Sequence, residues 1–68
     1  MKKGMRKCVE ITLICRAAPP ESNKRSEMTN IFMSIESAKR WEIELAEKLI
    51  SDGYHFIEFE WRYKAIYR

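Results

Sequence analysis

The sequence predicts an α+β fold: a three-stranded antiparallel or mixed sheet with one helix packed on one face, in the order strand, strand, helix, strand. Two alternating runs and one amphipathic segment predict it. In HFIEFEWRYKAIYR, His55–Arg68, every second residue from His55 to Tyr67 is apolar or aromatic apart from the histidine, and the intervening positions are mostly charged. A period of two marks a strand with one buried and one solvated face. KCVEITLICRA, Lys7–Ala17, repeats the pattern with Val9, Ile11, Leu13 and Cys15 on the apolar side. Between the two runs, Ile35, Ala38, Trp41, Leu45 and Leu49 recur every three or four residues, the spacing of a helix face.

Taken in order, residues 1–6 form a basic, flexible lead-in to a single domain of 1–68. The first strand follows, rich in β-branched residues. Pro19-Pro20 ends it, because proline cannot donate to a ladder, and 18–27 is a solvated connection. MTNIFMS, Met28–Ser34, suits a short strand pairing back on the first. Ser34 caps the helix, with Ser37 as a competing cap, and Gly53 closes it. Lys39, Arg40, Glu44, Glu47 and Lys48 form its solvated face. Ser51-Asp52-Gly53 turns the chain into the last strand.

The first two strands should be antiparallel, and the returning helix makes the last strand antiparallel to the first. The order 2-1-3 follows if the most aliphatic strand is central; hydrophobicity alone leaves 1-2-3 open. Odd positions of the first and last strands face the helix. Even positions line an open face that includes Cys8, Ile14, Phe56 and Ile66. Lys2, Lys3, Arg6, Lys7, Arg62, Lys64 and Arg68 then share one end with the helix N-terminus, as a basic pole within a net charge of only +3. His55–Arg68 would extend about 46 Å, far beyond the usual strand of about 17–20 Å, so part of it should present an unpaired edge.

Composition excludes several classes. At 68 residues the chain is one small domain. Two cysteines do not make a disulfide framework, no apolar stretch spans a bilayer and no secretory leader is expected, which points to the cytoplasm. No metal-ligand spacing or glycine-rich phosphate loop occurs, so no metal or cofactor is implied. Cys8 and Cys15 lie on opposite faces of one strand. A Cys15–His55 pair would sit on the inward face, where a thiol packs as a small hydrophobe. Glu58 and Glu60, about 7 Å apart, read as a solvated face rather than an acid–base pair. Trp61 and Tyr63 face inward and Arg62 and Lys64 outward, which separates stacking groups from cations.

In layout the chain resembles small phage-encoded inhibitors of host machinery, of the anti-CRISPR and RNA-polymerase-inhibitor type. The residues that carry the resemblance are the helix SIESAKRWEIELAEKL between a short strand and the aromatic last strand. It implies a non-enzymatic inhibitor that occludes a host protein surface. The leading expectation is therefore a protein-binding module rather than an enzyme, with candidate contacts Lys2, Lys3, Arg6, Phe56, Arg62, Lys64, Ile66 and Arg68. A homodimer through the last strand or the open face is a variant of it. The alternative is a small nucleic-acid-binding protein that holds phosphates at the basic pole.

Overall fold

The computed structural model describes residues 7–67. The lead-in 1–6 and the candidate contacts Lys2, Lys3, Arg6 and Arg68 lie outside the described residues. Strand β1 (Lys7–Ala18) is central, β2 (Ser26–Phe32) flanks it on one side and β3 (His55–Tyr67) on the other, and both pair antiparallel to it. The aliphatic strand takes the middle because only there are both its edges and its inner face removed from water. Ile11, Leu13 and Cys15 are all fully buried on it. The first two strands reach further into their connection than expected, with Ala17 opposite Ser26, and the loop turns on a bond from Ser22 N–H to the Pro19 carbonyl at 3.1 Å.

Helix α1 (Ile35–Ser51) is set by its ends. Ser34 is extended, with φ −134°, and its hydroxyl accepts from the Ser37 N–H at 3.4 Å. At the other end Gly53 adopts φ +87°, which lets the Tyr54 N–H donate back to the Leu49 carbonyl at 2.9 Å. The helix lays Ala38, Trp41, Leu45 and Leu49 on the sheet. Ile11, Leu13 and Ala38 form one half of the core and Cys15, Ala17 and Leu49 the other. Trp41 joins them, tilted on Phe32 at 5.7 Å and edge-on to Phe59 at 6.4 Å between ring centroids.

The helix is long enough for the width of the sheet but not for its length. Its 17 residues span about 26 Å. The 13 residues of β3 span about 43 Å. β2 pairs only with Ile11–Ala17, so Lys7–Glu10 and residues 64–67 continue as a two-stranded ribbon beyond both β2 and α1. The Cα trace is accordingly elongated, 59 × 19 × 10 Å. Three expectations are corrected by this. Tyr63 lies on the helix side of the sheet yet is 61% exposed, and Val9 is 43% exposed, because no helix residue reaches them. Ile35 is exposed rather than part of the core stripe. The helix N-terminus stands near the Ile11–Phe32 level, about 13 Å short of Lys7, so its dipole does not reach the end of the ribbon.

Two more corrections come from the sheet itself. Ile14, expected to be exposed on the open face, is buried, with only 7% of its surface exposed. Thr29 and Glu60 flank it across the ladder, and the Arg16–Glu60 ion pair runs beside it. His55, expected to face the helix with Ile57, is displaced by a bulge. The register is regular from Lys7–Tyr67 to Arg16–Glu58, then shifts so that Ala18 faces His55. β3 therefore carries one extra residue there, and Phe56 takes φ +54° to accommodate it.

Candidate interaction surface

The face opposite the helix is a bare sheet, and its charges are arranged in a lattice. Arg16 on β1 reaches both neighbours, Glu27 Oε2 on β2 at 3.1 Å and Glu60 Oε1 on β3 at 3.0 Å. Glu60 also accepts from Arg62 Nε at 2.7 Å, and Arg25 of the loop donates to Glu58 Oε1 at 2.8 Å. The hydrogen bonds from Arg62 and Arg16 hold the Glu60 carboxyl below its ordinary range, and the bond to Glu60 raises Arg16. Antiparallel pairing explains the lattice. Alternate residues of three strands share this face, and the sequence supplies opposite charges at adjacent positions.

Among the expected contact residues, Arg62 is thus paired within the sheet, and Lys64 stands opposite Glu10 in the register. Phe56 is exposed on the bulge with its ring edge-on to His55 at 4.6 Å, and Ile66 is half-buried on the ribbon. Arg62, Lys64 and Ile66 lie close together along β3, whereas Phe56 is at its other end. The basic pole, as far as the described residues reach, is partly neutralised across the ladder. Ile31 and Met33 at the end of β2 are further exposed apolar residues that the sequence pattern did not single out, because it gave no face to the short second strand.

The structure separates the two groups of the suggested nucleophilic pair. Cys15 is fully buried in the core, and burial pushes its thiol up from the ordinary value. His55, past the bulge, places Nε2 3.2 Å from Asn23 Oδ1 in the β1–β2 loop. Among the described residues no group of three or more His, Cys, Asp or Glu is placed to hold a metal ion. The depression on the outer side of α1 is lined by Glu36, Lys39, Arg40, Ile43 and Glu44, all from one helix, so no second element walls it. Among the described residues no helix is long and apolar enough to cross a membrane.

No protein family, curated protein or solved structure matches the chain.

Proposed function

We propose that this protein is a non-enzymatic binding module that holds another protein against the open face of its sheet, between the Arg16–Glu60 lattice and the exposed Ile31 and Phe56. The observation that supports the reading most is the internal pairing of the lattice. Arg16, Arg25 and Arg62 already face carboxylates, so phosphates would have to compete with Glu27, Glu58 and Glu60 for them. A face of mixed, mutually satisfied charge with apolar residues at its margin suits a protein surface better than a polyanion. The resemblance to small inhibitors adds a mode of action, occlusion of a host protein surface.

The test compares the wild-type chain with the double variant Ile31→Asp, Phe56→Asp, both at exposed positions. Capture of one stoichiometric protein partner by the wild type, lost in the variant, is the expected result. Partner capture that the variant leaves unchanged refutes this surface. Retention on mixed-sequence duplex DNA, with affinity falling by a log–log salt slope of about −0.9 per phosphate contacted, refutes the reading in favour of nucleic acid.

A further inference from the structure

We infer that β3 is the interface of a symmetric homodimer, in which the β3 edges of two copies pair antiparallel about a two-fold axis at Trp61. The inference uses the strand edge rather than the open face and does not depend on the partner proposed above.

β3 is an outer strand, and its far edge carries no strand among the described residues. Its register with β1 is unbroken from Glu58 to Tyr67, so no bulge or proline blunts that stretch. The order of charges along it is self-complementary. Glu58 and Glu60 precede Trp61, and Arg62 and Lys64 follow it at mirrored distances. Antiparallel pairing about Trp61 sets Glu60 opposite the second copy's Arg62 and Glu58 opposite its Lys64, each twice by symmetry. On the helix side the same register sets Phe59 opposite Tyr63 and Ile57 opposite Ala65. Moving the axis by one residue destroys this match: about Glu60 or Arg62, a charge meets its own copy. Moving it to Phe59 or Tyr63 sets Glu58 against Glu60 or Arg62 against Lys64.

The same axis covers the apolar surface that a single copy leaves bare. α1 lies over the Ile57–Trp61 half of β3 and leaves Tyr63 and Ala65 uncovered. Two-fold pairing keeps both helices on one side of the joined sheet and brings each uncovered half beside the half that the other copy's helix covers. Glu42 marks the side of the helix that overhangs β3: its Oε2 accepts the Trp61 Nε1–H at 3.1 Å. Charge order and uncovered aromatic surface both point to one occupant, a second copy of the chain.

The test is sedimentation equilibrium of the full chain over a wide concentration series at low salt, with folding followed by circular dichroism. The expected result is a monomer–dimer equilibrium. Glu58→Lys and Lys64→Glu each create two like-charge contacts and should weaken the dimer roughly tenfold, while the double variant Glu58→Lys, Lys64→Glu should recover it. Glu58 also bonds Arg25 within its own chain, which the double variant does not restore, so recovery reports the pairing between copies. Tyr63→Glu, at an exposed position that the pairing sets opposite the second copy's Phe59, should keep the fold and weaken the dimer. A monomer at every concentration overturns the inference. So does a dimer indifferent to Tyr63→Glu, or one that the double variant fails to recover. Dimer loss that leaves partner capture by the open face intact separates the two interfaces.

Discussion

Leu13 and Val9 lie on the same strand and the same face, two turns of the pleat apart, and the structure assigns them opposite energetic roles. Leu13 is fully buried in the half of the core it shares with Ile11 and Ala38, whereas Val9 is 43% exposed on the ribbon beyond the helix. Truncating Leu13 to alanine removes packed methyls and leaves a cavity under Trp41 and Trp61, at a cost of about 2–5 kcal/mol. A chain of 68 residues has about 3–10 kcal/mol of total stability. Leu13→Ala should therefore lower the melting temperature by roughly 10–30 °C or leave the chain largely unfolded. Val9→Ala removes side-chain area that is nearly half in water and should cost about 0.5–1 kcal/mol. Thermal and urea unfolding followed by tryptophan fluorescence, at a concentration where sedimentation shows monomer, measures both. Costs equal within about 0.5 kcal/mol would refute a core that ends at the helix N-terminus, as would a Val9→Ala penalty above about 2 kcal/mol.

Gly53→Ala should be more damaging than its exposed position suggests. Its φ of +87° disfavours a side chain, and the new Cβ would stand 3.3 Å from Pro20 Cβ, so a loss of about 1–2 kcal/mol in urea unfolding is expected. Acid should act through Glu60. Its folded pKa is depressed by Arg62 and Arg16, so its contribution is complete above the unfolded carboxylate range of about 4.3 and is lost as pH falls through the lower folded value. Stability measured from pH 6 to pH 2 should fall less steeply in Glu60→Gln than in wild type; identical slopes refute the lattice.

How far the sequence discloses this structure depends on the range of the interactions concerned. Period two in β1 and β3 and the apolar stripe of α1 are local signals, and the strands and helix form where those signals are. The aliphatic content of β1 favours its central place but leaves the order 1-2-3 open, and the pairing of β1 with both other strands decides it. The bulge was not legible. Nothing in HisPheIle marks a residue that will adopt φ +54°, and one extra residue reverses the facing of His55 relative to the rest of β3. Parity places Ile14 on the open face but does not report its burial there, opposite Glu60 in the ladder and next to the Arg16–Glu60 ion pair. The exposure of Tyr63 follows from comparing rise per residue in helix and strand, arithmetic available from the element lengths alone. The internal pairing of Arg62 and Glu60 follows from i,i+2 spacing on a strand face. That both lie on an outer strand requires the topology.

The charge order of β3 also bears on how the chain tolerates such an edge. A long, unbroken outer strand rich in aromatic residues is a template for indefinite stacking. In parallel, in-register stacking each residue meets its own copy, so Glu58 and Glu60 would line up with carboxylates and Arg62 and Lys64 with cations at every step of about 4.8 Å. In the proposed antiparallel pair the same residues alternate in sign, and the two outer edges that remain belong to β2. Those edges are short, 7 residues each, and carry Glu27, Thr29 and Asn30 among their exposed positions. Pairing through β3 is thus closed by symmetry after one step, whereas pairing through β2 offers little surface to extend. A sequence selected only to cover its own core has no need of mirrored charges about Trp61. Under this arrangement they restrict the self-association of β3 to a single register and a single copy number.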